Sequence, residues 1–346
     1  MERSLFAGAV RLECASRVRK ARVTRILETL FCRAPLNLCV SDLCVSDRGM
    51  ELLIHDLPEG DVCGDPVFDA PLLSAIRTRR GYHLRSGGSF LSLDLHVGTA
   101  SGFLSDAFLD LPPEDQRGLF LFAFLLLLSV RGVYALHAGG VVWQGCGFLL
   151  AGRSGSGKTT LSYALMRSGW QYLSDDSVLL RRRSSGVEAL AFGRPFHCAP
   201  AMFRYFPELA RAANRPVCGK RLVDVLSLYP CHFRSALRPQ VILFPEVDRS
   251  GPSRIIPLSD TDTLVRLLGE CSGLLYDRDA MAGQMTVLGD LAGSTRGFRL
   301  MHGADVHTDP RRVAELLQQL AKPDQTPGGA HECEGRQREG LQELLQ

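Results

Sequence analysis

Short apolar runs alternate with turn-forming residues over roughly the first hundred positions, at 8–12, 36–45, 50–54, 82–84 and 90–95, and this rhythm predicts strands. Residues 17–31 break it. There Val23, Ile26, Leu27 and Leu30 fall among Val18, Arg22, Arg25 and Glu28 at helical spacing, which predicts a helix. Leu111-Pro112-Pro113-Glu114-Asp115 combines helix-breaking prolines with acids suited to a first helical turn, and marks a boundary at 113. The long apolar run at 119–130 lies between Arg117 and Arg131 and is too short to span a bilayer. It predicts a buried helix packed beneath the sheet that follows.

From there strand and helix patterns alternate. Apolar 147–151 predicts a strand, 159–168 a helix, and the proline-bounded 239–245 another strand. Residues 259–268 form a helix entered from a polar cap, and Asp309-Pro310 opens a last helix to about 320. Beyond Lys322 the apolar content disappears, as expected of a mobile tail. The division expected is an α+β accessory or recognition unit at 1–113, an α/β unit at 114–321 and a disordered tail at 322–346.

Between the 147–151 strand and the 159–168 helix lies Gly152-Arg153-Ser154-Gly155-Ser156-Gly157-Lys158-Thr159, a complete G-x-x-x-x-G-K-[ST] phosphate loop in its strand–loop–helix setting. Glycines let backbone N–H groups approach phosphates, and the helix N-terminus adds partial positive charge. ATP is the expected ligand. Lys158 is placed to reach the β- and γ-phosphates and Thr159 to hold Mg²⁺, with Thr160 next in the helix. Lysine occurs only at 20, 158, 220 and 322 in a chain that otherwise writes its cations as arginine. Lys220-Arg221, after Gly219, is therefore a second candidate for phosphate contact.

Downstream, Ser174-Asp175-Asp176 sits between two strand-like runs. Taken alone it reads as a polar turn. Beside a phosphate loop, adjacent carboxylates suit metal ligation by one and proton abstraction from an attacking hydroxyl by the other. Upstream, Ala135-Leu136-His137-Ala138-Gly139-Gly140 places a histidine at the mouth of a strand expected beside the phosphate-loop strand.

The ordered set of His137, phosphate loop and Asp175-Asp176 resembles the catalytic core of the HPr kinase/phosphorylase family, whose fold is related to that of phosphoenolpyruvate carboxykinases. The match covers about 136–180 well and extends loosely toward 257. It implies an α/β kinase core, a mixed sheet flanked by helices, that moves the γ-phosphate of ATP to a serine hydroxyl on a protein or peptide. The residues carried over are Gly152 to Thr159 for nucleotide, with Lys158 also catalytic, Thr159 for Mg²⁺, the pair Asp175-Asp176 for metal and base, and His137 beside it. Asp176 is favoured as base and Asp175 as the metal-side partner, but the sequence does not separate their roles. The family also implies self-association into a homo-oligomer. Departures mark a diverged member. Thr160 stands where the family has an acidic residue, and Phe192-Gly193-Arg194-Pro195-Phe196-His197 and Cys218-Gly219-Lys220-Arg221 stand where its acidic, glycine-rich signature is expected. HPr itself as acceptor, and phosphorolysis, do not follow. Small-molecule phosphorylation and nucleotide-dependent regulation without transfer are the alternatives.

Composition narrows the partners. A net charge of +3, with both signs interspersed, is too mild for a nucleic-acid binder. Arg181-Arg182-Arg183 reads as a solvated hairpin tip. No N-K-x-D base reader or transporter-ATPase signature follows the phosphate loop. Eleven cysteines, an odd number without a C-x-x-C pair, argue against a disulfide framework or zinc site. They point, with the absence of a signal-peptide pattern, to a reduced cytoplasmic protein without a membrane partner.

Overall fold

The structure is a computed structural model that describes residues 4–6, 10–14, 17–31, 50–55, 63–192, 196–217, 219–248, 250–271 and 277–321. It is an α/β protein with mixed sheets flanked by helices. The strand expected at 36–45 and the tail at 322–346 lie outside the described residues.

One sheet has eight strands, in the spatial order Ser4–Phe6, Val10–Cys14, Met50–His55, Thr99–Phe103, Ser89–Asp94, Gly81–Ser86, Leu73–Thr78, Asp65–Ala70. Val10–Cys14, Met50–His55 and Thr99–Phe103 run parallel, and the meander from Asp65 to Phe103 is antiparallel. The helix Arg17–Phe31 forms where its spacing predicts, burying Val23, Ile26 and Leu27. Four strands of this sheet were not expected from patterning: the three-residue Ser4–Phe6, Asp65–Ala70, which is mostly exposed, Leu73–Thr78, which is mostly half-buried without a clear alternation, and Thr99–Phe103, whose small residues hide its alternation.

The phosphate-loop sheet has six strands, ordered Gln171–Ser174, Ala138–Trp143, Cys146–Ala151, Pro239–Val247, Arg296–His302, Arg254–Pro257. Cys146–Ala151, Pro239–Val247 and Arg296–His302 are parallel, and the flanking strands are antiparallel. Every residue of Cys146–Ala151 is buried, as a central parallel strand covered on both faces requires. One face packs under the helix Lys158–Arg167, where Trp170 meets Phe148 edge-on at 5.0 Å and Trp143 at 5.4 Å. The helices Asp260–Leu268 and Pro310–Gln318 open on their expected caps: Ser259 accepts from the Asp262 N–H, and Asp309 from the Arg312 N–H.

A four-stranded sheet, ordered Ala236–Leu237, Gly186–Ala191, Val178–Arg183, Val133–Leu136, adjoins it. The apolar run at 119–130 is the body of a helix, Pro113–Ser129. It does not lie beneath the phosphate-loop sheet. It packs on Val133–Leu136, on Gly81–Ser86 and Ser89–Asp94 of the eight-stranded sheet, and on the helix Arg278–Ser294. A helix apolar on nearly every side can be covered on several at once, and one continuous core joins the two sheets around it. The hairpin tip at 181–185 also needs correction. Arg182 and Arg183 are exposed, but Arg181 is buried and pairs with Glu188 across the hairpin at 2.7 Å. Among the described residues no helix is long and apolar enough to cross a membrane.

Candidate active site

The site forms where three chain segments leave their sheets at one end. Cys146–Ala151 ends in the phosphate loop, Gln171–Ser174 ends in the two aspartates, and His137 lies between the strands Val133–Leu136 and Ala138–Trp143. Glycine at 139 lets these segments meet, because a Cβ there would stand 2.8 Å from the Asp175 carbonyl oxygen.

Gly157 caps the helix Lys158–Arg167 with φ 94°, in the left-handed region. The loop is held from Arg296–His302, the parallel strand next but one to Cys146–Ala151, whose last residue, His302, donates from Nε2 to the Ser156 carbonyl at 2.8 Å. Arg153, Ser154 and Gly155 are exposed, whereas Lys158 is 5% exposed. Its ammonium donates to the carbonyls of Gly152 and, at 3.2 Å, Arg153. Burial lowers the Lys158 pKa, opposed by the charges of Asp176, Glu270 and Asp175 and assisted by Lys220.

The two aspartates are adjacent in sequence and face different partners. Asp175 is fully buried. Its Oδ2 accepts from the Thr159 hydroxyl at 3.1 Å and the His197 N–H at 3.4 Å, while its Oδ1 is buried without a partner among the described residues. Burial, and then the Asp176 charge, push its pKa up to about 7 against the pull of Thr159, the His197 N–H and Lys158. For Asp176, burial also works upward, but the His137 hydrogen bond and charge, with Lys158 and His197, outweigh it and leave the pKa below the usual carboxylate value. His137 Nε2 lies 2.8 Å from Asp176 Oδ1, and its Nδ1 lies 3.2 Å from Glu270 Oε2.

Glu270 was not legible in the sequence. It follows the helix Asp260–Leu268, is 8% exposed, and accepts the His137 N–H through its own carbonyl at 2.9 Å, so side chain and backbone both hold the histidine. His197 and His302 were missed as well, since each lies on a strand whose neighbour only the fold supplies.

The structure therefore brings together His137, Gly152, Ser156, Gly157, Lys158, Thr159, Asp175 and Asp176. Thr160 lies in the first turn of the helix with its side chain half-buried. Lys220 is exposed on the strand Lys220–Val223, near enough for its charge to act on Lys158 and His197. Arg221 is not gathered in: its guanidinium lies over the Phe203 ring, 5.4 Å from the centroid. For Mg²⁺ the donor set fits, since the orphaned Asp175 Oδ1 stands beside a Thr159 hydroxyl already bonded to the same carboxylate. Among the described residues no group of three or more His, Cys, Asp or Glu is arranged to hold a metal ion by itself, so such an ion would need oxygens from phosphate or water.

No protein-family model matches this chain, and no curated protein matches it. Among solved structures, it is similar to the Hpr(Ser) kinase/phosphatase from Coxiella burnetii at 12% identity and a TM-score of 0.31, over 54% of this chain and 90% of that one. Function has to be read from the residues of the site.

Proposed function

We propose that the protein is an ATP-dependent kinase that transfers the γ-phosphate to a hydroxyl, that of a serine on a protein or peptide. The observation that carries this reading is the divergence of Asp175 and Asp176, one turned to the phosphate-loop threonine and the other to a histidine. That divergence divides the labour phosphoryl transfer requires.

Lys158, released from the loop carbonyls, would bind phosphate oxygens, and the loop N–H groups would cradle the rest. Thr159 and Asp175 would hold Mg²⁺, which when bound neutralises phosphate charge and aligns the γ-phosphate for in-line attack. Asp176, ionised because its pKa is depressed, accepts the hydroxyl proton. His137 orients that carboxylate and is itself oriented by Glu270.

The test is incubation of the purified protein with Mg²⁺ and γ-labelled ATP over a lysate of its own cells, beside the Asp175→Asn/Asp176→Asn double variant. Label on one discrete protein or peptide with wild type alone supports the kinase and identifies the acceptor. ATP binding without transfer by either form would make the protein a nucleotide-binding regulator instead.

A further inference from the structure

One charged group at the site has no role in that mechanism. Arg117 lies on the helix Pro113–Ser129, and its Nε and Nη2 are buried without a hydrogen-bond partner among the described residues. These two nitrogens form one edge of the guanidinium, with N–H bonds pointing the same way, the edge that receives two oxygens of a carboxylate or phosphate. A buried guanidinium edge left unpaired is costly, and a native protein that retains one generally uses it.

The fold places Arg117 on the acceptor side. The helix that carries it packs on Val133–Leu136, the strand that leads directly into His137. The Arg117 charge is felt at Asp176 and His197, and of the paired acids it is the Asp176 charge that acts on Arg117. Thr159 serves the other side of the pair through its hydrogen bond to Asp175, while the charge of Lys158 acts on both carboxylates.

We propose that Arg117 is the anion-binding residue for the phosphate acceptor, a fork that takes a carboxylate or phosphate borne close to the hydroxyl that is phosphorylated. This rests on the kinase reading above and deepens it: the acceptor is a hydroxyl compound or segment with an oxyanion beside the reacting group. The arrangement sets position as well as affinity, because holding the anion fixes the distance from hydroxyl to Asp176.

Inorganic sulfate is the probe, titrated calorimetrically into the full chain saturated with Mg²⁺ and a non-hydrolysable ATP analogue. The expected result is saturable sulfate binding, weakened about tenfold or more in Arg117→Gln and not restored in Arg117→Lys, which keeps the charge but loses the fork. A second arm compares transfer to glycyl-serine and glycyl-serinamide for a carboxylate, and to glycerol 3-phosphate and glycerol for a phosphate. Preference for the anionic member of either pair, collapsing in Arg117→Gln while analogue affinity holds, supports the assignment and names the anion. Sulfate binding equal in wild type and both variants overturns it. The kinase reading fails by a separate result, nucleotide affinity unchanged by Lys158→Ala, which leaves the sulfate measurement intact.

Discussion

His302 and Gly157 are fitted to each other across the phosphate loop: the imidazole that donates to the Ser156 carbonyl occupies the space in which a side chain at 157 would stand. A Cβ on Gly157 would lie 2.3 Å from His302 Nε2, and φ there is +94°. Gly157→Ala therefore meets a steric clash and left-handed backbone strain of about 1–2 kcal/mol. The expected outcome is a lowered melting temperature and ATP affinity reduced by about tenfold or more. Adding His302→Ala removes the clash and leaves the strain, so the double variant should recover stability in part. Melting curves with and without Mg-ATP check both; full recovery would mean that the backbone conformation carries no cost.

The Glu270–His137–Asp176 chain predicts a second outcome. Glu270→Gln keeps the backbone bond to His137 and removes the carboxylate facing Nδ1. Transfer should slow about ten- to a hundredfold with nucleotide affinity unchanged, since Glu270 acts through the histidine. Asp176→Asn should cost more. A double variant no slower than Asp176→Asn alone would place the residues in one unit, whereas additive losses would separate them.

How much of this site could be read in the sequence depends on where its partners sit along the chain. The phosphate loop, His137 and the aspartates fall within one stretch of strand, turn and helix signals, and their order alone sets them side by side. Glu270 lies 133 residues from His137 and reaches it through an isolated bridge between Leu136 and Cys271, a pairing no local periodicity announces. Arg117 is hidden differently. It opens an apolar helix that reads as pure core, and only the return of the chain to His137 gives the arginine a site to face. In the eight-stranded sheet, Asp65–Ala70 escapes notice because its edge position leaves most side chains exposed and erases the alternation that reveals a half-buried strand.

Lys158 should separate binding from stability. Its ammonium is buried, with burial lowering its pKa, and it is satisfied by two loop carbonyls. Lys158→Ala removes a desolvated charge together with those bonds, so the apo protein should melt at an unchanged or higher temperature. ATP affinity should fall by about ten- to a hundredfold, the worth of a charge-assisted bond to phosphate. Calorimetric titration and melting of the same samples check the pair. A drop in apo stability equal to the binding loss would make the lysine a structural element of the loop.

Asp277 predicts an acid-dependent stability away from the phosphate loop. It caps the helix Arg278–Ser294 by accepting the Ala280 N–H at 2.8 Å, and it also accepts from the Tyr82 hydroxyl and, at 3.2 Å, from Arg77, both on the eight-stranded sheet. Burial raises its pKa, but the Ala280 N–H, Tyr82 and Arg77 outweigh burial and leave it below the usual value. A carboxyl depressed in the folded state binds its proton first in the unfolded chain. Its stabilisation is therefore complete above the unfolded value, about 3.9, and is lost as pH falls through the lower folded value. Asp277→Asn retains a capping side chain and removes the charge, so wild type should melt several degrees above it at pH 7, with the gap closing below about pH 4. Melting both forms from pH 7 to pH 3 tests this, and a gap that stays constant would show that the carboxylate's charge does not hold the sheet to the helix.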